Sequence, residues 1–376
     1  MIPLFKVFIP DEASEAVVRT LKSGYVTQGP RVEEFEYLLR GFLDVAHVLT
    51  VNSATSGLQL ACHLAGLGPG TYAISTPMTC TATNTAILST GASILWADVD
   101  PNTGNITPES IAQVLAQHRN TKVIKAVMCV DWAGLPCDYD AIFGVTSERG
   151  VKIIRDAAHA WGAKYRESLV PSEVDYTVYS FQAIKHLTTV DGGVLVCASN
   201  ADHNRGKKLR WYGIDRDLPK QDMRCEMDVV EPGWKYHMND WNATLGITQM
   251  AHTEKIIEAH IDNGTFYDDW FTIYSASDVP VNYVNLNHYQ PSYWIYTILL
   301  DDPEGLKIHL ADNHIQASKV HSPNHTHTML THVEDKDAVP GVELFYARQL
   351  NIPCGWWVTK DDRVNIATAV NEFVRR

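Results

Sequence analysis

Short apolar runs alternate with stretches of helical periodicity along residues 45–200. The runs at 48–51, 72–75, 94–97, 123–130, 151–154, 176–181 and 193–198 are rich in valine, isoleucine and aromatic residues. Near-continuous apolar character, rather than strict alternation, predicts strands covered on both faces. Residues 55–65, 81–88, 108–117 and 139–148 carry helical patterns between them. Thr107-Pro108-Glu109 opens one helix with a hydroxyl cap and a first-turn proline, and Gly66-Leu67-Gly68-Pro69-Gly70 stops an earlier one. This order predicts an α/β fold on a mostly parallel sheet with helices on both faces. From Trp241 a long helical pattern runs through Ile247, Met250, Ile256 and Ile257, followed by strand signals at 293–300 and a helix at 303–313. The expectation is a large domain over residues 1–250 and a smaller C-terminal α/β domain over 251–376.

Ligands of such sheets bind beyond the carboxyl ends of the strands, and the polar residues at those ends are the informative ones. Arg155-Asp156-Ala157-Ala158-His159 puts an acid at one strand end. Tyr179-Ser180-Phe181-Gln182-Ala183-Ile184-Lys185, running on to Asp191-Gly192-Gly193, puts a hydroxyl and a lysine at the next. Asn52-Ser53-Ala54-Thr55-Ser56-Gly57 follows a strand and opens a helix, a ready anion site because free amides and the helix dipole face the ligand. Each has a plain reading: a solvated lysine, a turn acid, an ordinary cap, and in His159 a satisfied structural histidine. Together they offer what pyridoxal 5'-phosphate needs. A desolvated lysine is a nucleophile for its aldehyde, an acid keeps its ring nitrogen protonated, and hydroxyls and amides hold its phosphate. Gly24-Tyr25-Val26-Thr27-Gln28-Gly29-Pro30 reads as a turn, with a substrate-facing role if it folds over the site.

Composition narrows the classes. Net charge is −13 and no long Lys/Arg run occurs, which argues against nucleic acid or an anionic membrane surface as partner. Lys207-Lys208-Leu209-Arg210 and Lys235-Tyr236-His237 can still form a local basic pocket for an anionic small substrate. Cys62, Cys80, Cys129, Cys137, Cys197, Cys225 and Cys354 are scattered, without a CxxC or zinc spacing, so reduced thiols and no metal are expected. With no basic-then-apolar leader and no apolar run of about 18 residues, a cytoplasmic enzyme is the simplest reading.

The same segments, with Thr76-Pro77-Met78-Thr79, Ala82-Thr83, Gly91-Ala92, Asp98-Val99-Asp100 and Gly233-Trp234-Lys235-Tyr236-His237-Met238-Asn239-Asp240, resemble the DegT/DnrJ/StrS family of sugar aminotransferases. The resemblance spans nearly the whole chain and implies the aspartate-aminotransferase fold (fold type I). It implies that Lys185 carries the cofactor, Asp156 meets its ring nitrogen, His159 lies beside the ring oxygen, and Ala54, Thr55 and Ser180 bind its phosphate. It also implies a homodimer in which a partner chain reaches the phosphate through Lys235 or His237, with Lys235 preferred. Cys80 departs from the family, many of whose members stack an aromatic ring on the cofactor there; Met78 could cover the ring instead. Thr27 and His321 are candidates toward the substrate, and Arg210, Lys235 and Lys319 toward a diphosphate. The implied reaction moves an amino group from L-glutamate to a keto group of a nucleotide-linked sugar, a 4-keto-6-deoxyhexose before a 3-keto sugar. A lyase or dehydratase on the same fold is the alternative, although the family's dehydratase branch replaces the lysine with histidine and Lys185 argues against it. A non-catalytic sensor or scaffold is the third possibility.

Overall fold

The computed structural model describes residues 1–219, 228–274, 289–330, 333 and 339–376; Cys225 lies outside the described residues. Two N-terminal helices, α1 (Ala13–Ser23) and α2 (Pro30–Leu43), lead into β1 (Val48–Val51). The chain then alternates through α3 (Ala54–Leu64), β2 (Thr71–Ser75), α4 (Thr81–Leu88), β3 (Ser93–Trp96), α5 (Pro108–Gln117), β4 (Val123–Val130), α6 (Tyr139–Thr146) and β5 (Lys152–Asp156). It continues with β6 (Lys164–Tyr165), β7 (Tyr176–Ser180), β8 (Gly193–Cys197) and α7 (Asn200–Leu209). Seven of these strands form one sheet in the order β1-β8-β7-β5-β4-β2-β3. Only β8 runs against its neighbours, pairing antiparallel with both β1 and β7, so every other strand ends at the same edge.

The two-residue period of β4 shows why its sequence reads as continuously apolar. Ala126 and Met128 join the core under α3 and α4, with Leu58, Ala61, Ala86 and Ile87. Val127 and Cys129 join the opposite core under α5 and α6, with Ile111, Leu115, Tyr139 and Ile142. A strand clad on both faces has no polar side to show. A third cluster closes the β1–β8–β7 end, where Val32, Phe35, Leu39 and Leu43 of α2 cover Val48, Val194, Val196 and Tyr179. Burying each such aliphatic or aromatic side chain contributes about 1.5–3 kcal/mol. Thr107 caps α5 by accepting from Ser110 N, as its sequence predicts.

Beyond residue 239 the expected long helix is two, α8 (Asp240–Met250) and α9 (Thr253–Tyr274). They are followed by β9 (Tyr289–Gln290), β10 (Tyr296–Leu299), α10 (Pro303–Asp312), α11 (Pro340–Arg348), β11 (Gln349–Ile352) and α12 (Lys360–Val374). The strand expected over 293–300 is shorter, because Tyr293 takes a left-handed φ of 47° and cannot extend the pairing. β10 and β11 pair antiparallel, and their core gathers Tyr267 and Phe271 of α9, Leu306 and Leu310 of α10, and Ile366 and Val370 of α12. The chain start joins this part, with Ile2 bridging to Ile315 and Trp357 Nε1 donating to Pro3 O at 2.9 Å. Trp294, Ile295, Val342 and Phe345 instead enter the core under α3 and α4. Among the described residues no helix is long and apolar enough to cross a membrane.

Candidate active site

At the carboxyl edge of the sheet, Val51, Gly193 and Ser180 face one another across β1, β8 and β7, and His237 bridges to Val51 from outside. Gly193 is glycine for a steric reason. A Cβ there would come within 2.7 Å of Tyr179 O and 2.9 Å of Ala54 N. Its absence keeps the first turn of α3 open beside Ser180. Ser53 caps α3 by accepting from Ser56 N at 3.1 Å, while the amides of Ala54 and Thr55 lie in the turn where a helix offers no acceptor. The Ser180 hydroxyl is buried and accepts from Gln182 N at 3.3 Å. The segment carrying Lys235 and His237 is tied to this corner: Asn52 N donates to Tyr236 O at 2.7 Å and Asn52 Nδ2 to Lys235 O at 3.1 Å. Lys235 extends into solvent. His237 is buried 3.7 Å from the Trp211 ring centre, and its Nδ1 has no hydrogen-bond partner among the described residues. Burial, with Lys235, Arg210 and Arg216 nearby, pushes its pKa down to about 4.

One row inward, Asp156 ends β5, almost fully covered. Its Oδ2 accepts from the Thr83 hydroxyl at 2.7 Å and its Oδ1 from Ala158 N at 3.1 Å. Burial raises its pKa, while Thr83, the Ala158 amide and Lys185 act to keep it ionised. Lys185, after β7, is half-buried, and desolvation pushes its amine down to about 7 against the pull of Asp156 and Cys80. Its Nζ lies 3.7 Å from the ring centre of Trp294. His159 stacks on the same indole at 3.9 Å, and His321 lies parallel to His159 at 5.5 Å. Burial and the Lys185 charge push His321 down to about 4 and His159 well below the ordinary histidine range. Among the described residues, His159 Nδ1 and His321 Nε2 are both buried without a hydrogen-bond partner.

The structure therefore brings together Lys185, Asp156, His159, His321 and Cys80, and beside them Ala54, Thr55 and Ser180. Four other candidates fall elsewhere. The Arg210 guanidinium is buried against Glu36 Oε1 at 2.6 Å and Thr50 O at 2.8 Å, so it is a core ion pair and not a diphosphate ligand. Lys319 Nζ donates to Tyr346 O at 2.8 Å and Ala347 O at 3.0 Å, which spends it on the end of α11. Met78 exposes no surface and belongs to the apolar core, so it has no face left to cover a ring; Cys80, half-buried at the start of α4, does. Thr27 is exposed, and its carbonyl accepts from Asp240 N at 2.8 Å rather than joining the Lys185 group. Thr83 and Trp294 were not singled out from sequence. Thr83 could have been, since it stands within the Ala82-Thr83 segment that carries the resemblance.

Residues 8–371 match the DegT/DnrJ/EryC1/StrS aminotransferase family. The chain is similar to the crystal structure of AtS13 from Actinomadura melliaura, at 34% identity and a TM-score of 0.91, covering 99% of this chain and 98% of that one. It is also similar to the sugar aminotransferase CalS13 from Micromonospora echinospora, at 30% identity and a TM-score of 0.91, covering 99% of this chain and 100% of that one. The spore coat polysaccharide biosynthesis protein SpsC of Bacillus subtilis (strain 168) is 28% identical over 386 residues, covering 100% of this chain and 97% of its own length. The chain belongs to the DegT/DnrJ/EryC1/StrS family and is a pyridoxal 5'-phosphate-dependent aminotransferase of fold type I, in a family whose solved members include sugar aminotransferases.

Proposed function

We propose that this aminotransferase moves an amino group from L-glutamate to a keto group of a nucleotide-linked sugar, a 4-keto-6-deoxyhexose before a 3-keto sugar. One observation carries the reading: a partly desolvated lysine, a buried carboxylate and an open helix N-terminus converge at one edge of the sheet. The similarity to the sugar aminotransferase CalS13 and to a polysaccharide biosynthesis protein supports a sugar acceptor.

The residues present fit the cofactor. The unpartnered Nδ1 of buried His159 suits a polar group of a bound ring, and the cradle left by Gly193 suits its phosphate. Lys185 would hold the aldehyde carbon, Asp156 the ring nitrogen, His159 the ring oxygen, and Ala54, Thr55 and Ser180 the phosphate, with Cys80 at a ring face. When bound, the cofactor supplies an electron sink for bond breaking at the amino-bearing carbon of the substrate. Lys185 Nζ, titrating at about 7, is populated in both protonation states near neutrality and can take and return a proton there. Thr83 and the Ala158 amide orient Asp156 and favour its charged form. His321 would face the acceptor sugar, and Lys235 is an exposed cation that would meet an anionic group.

This reading extends to a homodimer in which Lys235, and after it His237, serves a second copy of the chain. It assigns residues 1–250 to the cofactor-binding domain and 251–376 to the small domain. A cytoplasmic setting suits the six unpaired cysteines among the described residues.

Adding L-glutamate to the loaded enzyme, with no sugar present, should bleach its visible absorbance. Lys185→Ala should lower turnover by at least ~100-fold, the scale of a lost acid–base group. Borohydride trapping and peptide mapping should place the cofactor on Lys185, and label on another lysine overturns the site assignment. Mass spectrometry of products from a panel of keto-sugar nucleotides tests the acceptor, and the absence of any amino sugar removes it.

A further inference from the structure

Residues 291–295 cross from the C-terminal part of the chain to the carboxyl edge of the sheet and are fixed on several sides. Ser292 N donates to Gly134 O at 3.1 Å, its hydroxyl to His159 O at 3.3 Å, and its carbonyl accepts from His186 Nε2 at 2.9 Å. The Tyr293 carbonyl accepts from His260 Nδ1 at 2.8 Å and its hydroxyl donates to Asp268 Oδ2. So close an approach needs Gly134, at φ 97°, where a Cβ would lie 2.6 Å from Ser292 Oγ and 2.9 Å from His159 O. The segment thereby presents one side chain to the site. Trp294 N donates to Ala133 O at 2.9 Å, and its Nε1 donates at 2.9 Å to the carbonyl of Ile184, the residue that precedes Lys185. The indole, 2% exposed, stacks on His159 at 3.9 Å and on Phe5 at 5.0 Å, with Lys185 Nζ 3.7 Å from its centre.

We propose that Trp294 is a positioning residue for Lys185, its ring face steadying the charged amine and its indole N–H fixing the peptide that carries it. It brings to the site from the C-terminal part an aromatic surface that Cys80 does not provide. This rests on Lys185 being the reactive amine. The negative face of an indole favours an ammonium, whereas exclusion of water disfavours it. The other titratable groups that act on Lys185, or on which it acts, are Asp156 at the end of β5, Cys80 at the start of α4, and His159, His186 and His321.

The test is the titration of Lys185 in full-length, cofactor-free protein, read as the pH dependence of its acetylation by acetic anhydride with peptide mass spectrometry. Trp294→Leu keeps the site dry but removes the ring face, and should lower the midpoint by about half to one pH unit. Trp294→Phe keeps a weaker ring face but loses the N–H to Ile184 O, and its midpoint should fall between those of the native chain and Trp294→Leu. A second route leaves the native shape intact. Fluorotryptophan incorporated throughout the chain weakens the ring's negative face, and should lower the Lys185 midpoint in the native sequence but not in Trp294→Phe. Midpoints that do not fall with Trp294→Leu, or that ignore fluorination, overturn the proposal. Borohydride label on a lysine other than Lys185 would instead remove the reading on which it rests, and the acetylation midpoints would still report whether Trp294 controls this amine.

Discussion

Asp156 is held by two donors, the Thr83 hydroxyl at 2.7 Å and the Ala158 amide at 3.1 Å, inside a site that otherwise raises its pKa. Thr83→Val removes one donor while nearly keeping the volume. The carboxyl then titrates still higher, so the acid limb of the kcat/KM profile should move up by about one pH unit. Activity should fall most at low pH and recover as pH rises; an acid limb that stays in place means Thr83 does not hold the charge. Lys185, Asp156 and the α3 start were legible because each lies within a few residues of a strand end, where local pattern and position coincide. Trp294 was not. It sits in an apolar run that reads as strand, next to a Tyr293 of left-handed φ, and it meets Lys185 across more than a hundred residues of sequence. Arg210 and Lys319 read as free cations because their partners, Glu36 and the last carbonyls of α11, are distant in sequence.

Two elements, α2 and α8, are tied together by a buried acid acting as a remote cap. Gly29, at the start of α2, has no side chain to cap that helix, and Asp240 of α8 does so instead. Its Oδ1 accepts from Gly29 N at 2.7 Å and Val32 N at 3.1 Å, and its Oδ2 from Arg31 N at 3.2 Å. The carboxylate is buried, so Asp240→Ala strands several helix-start amides and should destabilise the fold by about 2–4 kcal/mol in urea unfolding. A loss near zero would mean that water replaces the carboxylate. This contact also explains the glycine-bounded loop at 24–30, whose Thr27 carbonyl returns to Asp240 N. The same tertiary logic hid the break between α8 and α9. No glycine or proline marks it; Thr253 accepts from Trp161 Nε1 at 2.8 Å and His252 meets Glu12 at 2.8 Å, contacts that only the folded chain supplies.

At the scale of the whole molecule, the sheet was readable because continuous apolar strands and capped helices agree with one another, whereas the packing of the N-terminus onto the C-terminal part was not. Folding also gathers histidines in dry places. His237, His260 and His321 are pushed by burial to about 4, against an ordinary 6.5. The unfolded chain therefore takes up protons below pH 6.5 that the folded chain refuses until about pH 4, so stability is full above that window and falls with pH across it. Asp268, raised by burial to about 6, has the opposite sign, since the folded chain binds its proton first as pH falls. Asp156 shares that sign, but His159, His186 and His203 are also pushed down by burial, so the histidines outnumber the raised acids and acidification leaves a net loss. His260, 3% exposed and bonded to Tyr293 O, offers the cleanest probe. Between about pH 7 and about pH 5 it should contribute roughly 2 kcal/mol of lost stability. His260→Gln should be less stable than the native chain near neutrality yet lose less on acidification, measured as urea midpoints at the two pH values. Parallel losses in the two proteins would show that the acid sensitivity arises from other groups.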